Sequence, residues 1–132
     1  MLGNYTAIPV LPTSDLKRAR KFYEEKLGLV PHTVEHEGVL YTTGDDLLLV
    51  YPSAFAGTNR ATAVAFQVPP EAFDDEVAQL RAAGITLDEF DFADAVWEDG
   101  VMQYGEEKGV WFKDPDGNYI SVETHRLHRS KG

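Results

Sequence analysis

Cysteine is absent from these 132 residues, which removes disulfides, thiolate metal sites and cysteine nucleophiles together. No apolar run approaches the ~20 residues needed to cross a bilayer. The opening MLGNYTAIPV has no charged segment followed by an apolar stretch, so no secretory leader is expected and the chain reads as soluble and cytoplasmic. Neither G-x-S-x-G nor G-x-x-x-x-G-K occurs, so a nucleophile elbow and a phosphate loop are both missing. Basic residues are scarce as well: 12 Lys and Arg stand against 22 Asp and Glu, a net charge of −10. Such a surface repels nucleic acid and anionic lipid and attracts cations, so neither nucleic acid nor membrane is expected as a partner.

The charge is unevenly placed. Twelve acids lie between Glu71 and Glu107 with Arg81 as the lone base among them, whereas Lys17, Arg18, Arg20, Lys21 and Lys26 crowd one early segment. With 43% hydrophobic and 26% charged residues the composition is that of a folded chain, and the length allows one domain or two small halves sharing a core.

The pattern favours two halves. TAIPVLP (6–12) predicts a strand and TSDLKRARKFYEEKLG a helix, capped by Thr13 or Ser14, with Leu16, Ala19, Phe22, Tyr23 and Leu27 on its apolar stripe and Gly28 at its end. LVPHTVEHEG, VLYTTGD and LLLVYPS then predict three strands. The second half repeats this: ATAVAFQV as a strand, a helix after Pro69-Pro70 with Phe73, Val77 and Leu80 inward, and ITLDEFDF, GVWFKDPDGN and YISVETH as further strands. Two βαβββ modules are expected at 1–52 and 61–125, joined by a linker at 53–60 and followed by a flexible tail at 126–132. His32 and His36 fit an exposed strand, and His125 and His128 lie toward the tail.

The segment KDPDGNYISVETH (113–125) is turn chemistry feeding a strand, with Ser121 on the same face as Tyr119 and Glu123. Together, SDLKRARKFYEEKLGL and the terminal WFKDPDGNYISV resemble the vicinal oxygen chelate superfamily, which includes glyoxalase I, extradiol dioxygenases and bleomycin-resistance proteins. The resemblance spans about residues 6–125. It implies an α+β fold in which the two βαβββ modules form a curved, eight-stranded mixed sheet around a concave cavity, and a homodimer as the usual unit. In its metal-binding members, His, Gln or Glu side chains on the first and last strands hold a divalent ion. Carried onto this chain, those positions fall at Ile8, Leu48, Ala63 and Ser121. A serine hydroxyl is a poor ligand alone and the other three offer no donor, so no metal and no cofactor are expected.

What remains is an apolar pocket beside an acidic field. Ile8, Val10, Leu48, Ala63, Ala65 and Ser121 are expected to face inward, with Tyr51, Phe55, Phe92, Trp97, Met102, Tyr104, Trp111 and Glu123 around them. Core packing is an equally ordinary use for Trp111 and Phe92. AVWEDGVMQYGEEKG (95–109) reads as a glycine-punctuated loop covering the site, where Trp97 or Tyr104 stacks on a ligand and Glu98, Asp99, Glu106 and Glu107 supply charge. The chain is closest in character to the small, acidic, metal-free bleomycin-resistance branch, in which a proline at the position of Pro9 accompanies exchange of the N-terminal strand between subunits. The resulting expectation is a small-molecule binding protein that sequesters an aromatic or cationic compound, with bleomycin-like antibiotic resistance as its setting. A metal-independent lyase or isomerase using Glu123, Asp99 and Tyr104 is the alternative, with a metal-dependent glyoxalase or dioxygenase if the ligand alignment is displaced.

Overall fold

The computed structural model describes residues 1–4, 6–35, 37–91 and 94–124. His36, Phe92 and the tail from His125 onward lie outside the described residues. The chain divides into two compact units, residues 1–63 with 114–118, and residues 64–113 with 119–132. The fold is mixed α+β, with a four-stranded and a five-stranded sheet.

In the first unit β1 (Val10–Thr13) runs parallel to β4 (Asp46–Pro52), which pairs with β3 (Gly38–Thr43) and through it with β2 (Val30–Glu35). The helix begins as α1 (Leu16–Arg20) and continues as a π-helical segment, Lys21–Lys26. Its cap is Asp15, whose side chain accepts from the Arg18 N–H at 3.1 Å, and not Thr13 or Ser14 as the sequence suggests. Those two hydroxyls are committed elsewhere, to Asp116. Widening the helix to π geometry buries two consecutive rings, Phe22 and Tyr23, which meet edge to face at 5.3 Å.

Five residues of the D-P-D-G-N turn complete this unit. The Tyr23 hydroxyl donates to Asp114 Oδ2 at 2.7 Å, and Asp114 also accepts from the Asn118 side chain and from the backbone of Asp116 and Asn118. Asn118 Nδ2 reaches the Pro12 carbonyl at 3.0 Å. Asp116 accepts from Thr13 Oγ1, Ser14 Oγ and Arg18 Nη2 at 2.5, 2.6 and 2.9 Å. Buried polar groups persist only when paired, and here the partners are present. Burial and the adjacent Asp114 charge push the Tyr23 phenol far up, so it stays a donor.

In the second unit the sheet runs β5 (Thr62–Val68), β9 (Tyr119–Thr124), β8 (Glu107–Lys113), β7 (Val101–Tyr104), β6 (Val96–Glu98). Helix α2 (Phe73–Ala82) follows a 3-10 turn at Pro70–Ala72 and buries Phe73, Val77 and Leu80, as the spacing predicts. It closes on Gly84 (φ 81), with Ile85 N–H to the Leu80 carbonyl and Gly84 N–H to the Arg81 carbonyl. Val110, Phe112, Ile120 and Val122 form the buried side of the sheet.

Two expectations fail in this unit. Residues 85–91 of ITLDEFDF form no strand: among the described residues they contribute one bridge, Asp88 to Trp111. Its Leu87 instead packs against Gly100, where an added Cβ would come within 2.8 Å, and Glu89 accepts from the Gly100 N–H at 2.8 Å. Nor is 95–109 a covering loop. Asp99-Gly100, with φ 50 and 83, is a two-residue turn of the type that twists with its strands, and Gly105 (φ 63) opens the next. The stretch is therefore a meander, β6–β7–β8, and it brings the strand total to nine among the described residues where eight are expected from the sequence.

Candidate functional site

Strand pairing fixes which side chains share a face, because directly opposed residues point the same way. In the second unit Trp97 pairs with Met102, Met102 with Gly109, and Gly109 with Glu123, a row across four strands. Trp111 pairs with Ser121 on the same face, and Asp88 bridges Trp111 there. This face is opposite the buried Val110, Phe112, Ile120 and Val122 beneath α2, since neighbours along a strand alternate sides.

Four aromatic rings gather on it. Phe90 lies 6.3 Å from Trp97, 6.1 Å from Trp111 and 5.3 Å from Tyr119, each edge to face, and the two indoles are 6.0 Å apart. Lys113 Nζ stands 5.3 Å from the Tyr119 ring centre. All four aromatics are half-buried, so each keeps surface that a ligand can cover. Gly109 makes room for them: a Cβ there would lie 3.1 Å from the Trp111 ring and 3.6 Å from Glu123 Cγ.

The carboxylates on this face overlap only in part with those the sequence suggests: Glu107 and Glu123 are among them, and Asp88 is new. Asp88, Glu107 and Glu123 share the aromatic face by register. Glu98 lies one residue beyond Trp97 and therefore points to the other side, and Asp99 occupies the hairpin tip, its carbonyl accepting from Arg81. With Asp74 and Lys108 these residues line a separate groove of about 280 Å³ on the helix side. Tyr104 stands at the end of β7 opposite Glu107, 53% exposed, and outside the ring cluster.

Ser121 has no exposed surface, and its hydroxyl donates to Glu123 Oε2 at 2.6 Å. The hydroxyl is thus committed to Glu123 and is not exposed on this face. Glu123 is half-buried, and among the described residues no donor or cation reaches its other oxygen, Oε1.

The remaining sequence-derived residues divide by unit. In the first unit, Val10 and Tyr51 share one face of the sheet through Leu49 and Pro12, with Val10 49% exposed. Leu48 is on the opposite face: it pairs with Tyr41, whose ring lies 5.8 Å from Tyr23, and is buried under the helix. The inferred ligand position is thus one residue out of phase with the strand. Phe55 is 78% exposed in a turn and forms no wall. Ile8 and Ala63 are half-buried, and Ala65 is exposed on β5 of the second unit.

A metal ion does not fit these residues. Ile8 and Ala63 carry no donor, Leu48 points into the core, and Ser121 donates its proton to a neighbouring carboxylate. Among the described residues no group of three or more His, Cys, Asp or Glu side chains could hold one.

The sequence model of the Glyoxalase/Bleomycin resistance protein/Dioxygenase superfamily matches residues 4–122. Several solved structures share the fold. Lactoylglutathione lyase from Agrobacterium tumefaciens is 19% identical with a TM-score of 0.66, covering 91% of this chain and 92% of that one. A glyoxalase/dioxygenase from Nostoc punctiforme is 20% identical with a TM-score of 0.67, covering 96% of each. A mutant of the fosfomycin resistance protein FosX from Listeria monocytogenes, solved with Mn(II) and 1S,2S-dihydroxypropylphosphonic acid, is 14% identical with a TM-score of 0.69, covering 93% and 91%. No curated protein matches the chain.

Proposed function

Because the chain belongs to the Glyoxalase/Bleomycin resistance protein/Dioxygenase superfamily, we propose that it is a metal-independent binding protein that sequesters a small planar cation on the aromatic face of its second unit. The observation that carries this reading is the cluster of Phe90, Trp97, Trp111 and Tyr119 with Asp88, Glu107 and Glu123 on the same face. Aromatic faces attract cations and stack on flat rings, and carboxylates at the border add charge complementarity. That the four inferred ligand positions, Ile8, Leu48, Ala63 and Ser121, carry at most one hydroxyl supports binding over metal-assisted chemistry as this chain's use of the fold. A basic aromatic antibiotic of the bleomycin type is one compound of this class. Homodimer assembly, with or without exchange of the strand around Pro9, and a cytoplasmic setting belong to the same proposal.

A metal-independent enzyme with Glu123 as base is less well supported. Asp99 belongs to the groove on the other side, and Tyr104 stands at a strand end outside the ring cluster. General acid-base work needs both groups within hydrogen-bond reach of one substrate.

Calorimetry of EDTA-treated protein against metal-free bleomycin and against ethidium tests the proposal. Saturable binding of at least one is expected, weakening between low salt and ~0.5 M because exposed charges are then screened within a few ångströms. Heat only after a divalent metal is added, or no heat with either compound, contradicts it.

A further inference from the structure

We infer that Ser121 is a positioning residue that turns Glu123 into a directional anchor for a single ammonium group, and that Gly109 sets the spacing between this anchor and the Trp111 ring. The inference rests on the binding reading above and deepens it.

The argument starts from the geometry of the β8–β9 ladder. A glutamate side chain has three rotatable bonds and ordinarily samples many orientations, so ordering it costs entropy. Here one oxygen, Oε2, is fixed by the Ser121 hydroxyl at 2.6 Å, a short hydrogen bond of the charge-assisted kind. The donor has no exposed surface, so water does not compete for it. Oε1 is left as the acceptor on the open side. A carboxylate with one oxygen already engaged presents one strong acceptor to a ligand, which suits a single N–H⁺ donor. A paired, fork-like guanidinium contact would require both oxygens.

Gly109 fixes where that donor must lie. Its backbone is not in the left-handed region, so no conformational demand explains the glycine. Space does: an added Cβ would meet the end of the Trp111 indole at 3.1 Å and Glu123 Cγ at 3.6 Å. The indole and the carboxylate flank the same bare stretch of strand. A ligand that stacks on the indole therefore reaches Oε1 through a short arm, and its class is an aromatic ring carrying a primary amine a few bonds away.

The test uses three probes with one ring: naphthyl-ethylamine, naphthyl-ethanol and naphthyl-acetate, titrated calorimetrically. The wild-type chain is expected to prefer the amine over the alcohol by about tenfold, the equivalent of one well-made charged hydrogen bond, with the acetate weakest. Glu123→Gln should abolish the preference, because the amine loses about tenfold more affinity than the alcohol. Ser121→Cys, which adds little volume and weakens the donor, should cut the preference severalfold by weakening the amine more than the alcohol. Gly109→Ala should weaken amine and alcohol alike by moving the indole. A merely structural role for Ser121 would lower all three affinities together and would overturn the inference, as would equal wild-type binding of amine and alcohol. If Ser121→Cys does not fold, Glu123→Gln alone decides whether Glu123 is the anchor, and an unchanged preference there overturns it. Should none of the three probes bind the wild-type chain, the binding reading itself fails, an outcome distinct from loss of selectivity.

Discussion

Two clusters of polar and aromatic side chains, one in each unit, look alike in composition and differ in saturation. In the first unit Asp114, Asp116 and Asn118 of the D-P-D-G-N turn meet Thr13, Ser14, Arg18 and Tyr23, and both carboxylates accept from several donors. In the second, the rings are half-buried and Glu123 has one side-chain hydrogen bond among the described residues. Saturated, buried polar groups hold a fold together, whereas half-covered groups with open valence are available to a ligand. The turn motif is thus structural in this chain, and the proposed binding face belongs to the second unit.

The sharpest way to break this contrast is Asp114→Ala. It leaves the Tyr23 hydroxyl, the Asn118 amide and two backbone N–H groups without their acceptor, so a loss of about 3 kcal/mol or more in urea unfolding is expected. Little change would mean that the turn is dispensable. Trp111→Ala comes next and belongs to the other cluster. Ligand affinity should fall roughly tenfold or more, as truncating a central aromatic anchor typically does, while the unfolding midpoint moves far less than for Asp114→Ala. The opposite ranking would make Trp111 a core residue. Tyr23→Phe removes one of four donors to Asp114 and should cost about 1 kcal/mol, with ligand binding unaltered.

The smallest effect is one of pH. Burial pushes the Asp116 carboxyl up, but hydrogen bonds from Ser14 and Thr13, together with the Arg18 charge, outweigh it and hold the group below its ordinary value of 3.8. A carboxyl depressed in the folded state adds stability that is fully present above the unfolded value and is lost as pH falls through the folded one. Unfolding free energy should therefore decline below about pH 4, and Asp116→Asn should flatten that decline, measured by urea titration at stepped pH. An identical slope in the variant would show that Asp116 is not depressed.

Much of the scaffold was legible because periodicity reports burial directly. Phe73, Val77 and Leu80 at helical spacing, and the strands around Gly38 and Gly44, are where the pattern puts them. The helix cap is not legible in the sequence, because a serine or threonine beside an aspartate gives no sign of which oxygen is free to cap. Glycine-rich spacing in 95–109 suggested a loop, since Asp-Gly and Gly-Glu turns punctuate a hairpin as readily as a lid. That error carried into the site. Once the stretch is strand, alternation separates Trp97 from Glu98, keeps Glu107 and Glu123 on the aromatic face, and adds Asp88 to them. Phe90 was not singled out at all. Its neighbourhood becomes visible only through the Asp88–Trp111 bridge, a long-range contact with no local signal.

Trp97 and Trp111 are the only tryptophans in the chain, and both belong to the aromatic face, so their indole N–H resonances report on it alone. Ethidium titrated into EDTA-treated, nitrogen-labelled protein should shift both resonances to saturation at one common affinity. Indole signals that stay still while the dye binds elsewhere, or that move only once Mn(II) or Zn(II) is supplied, would contradict a metal-independent site on this face.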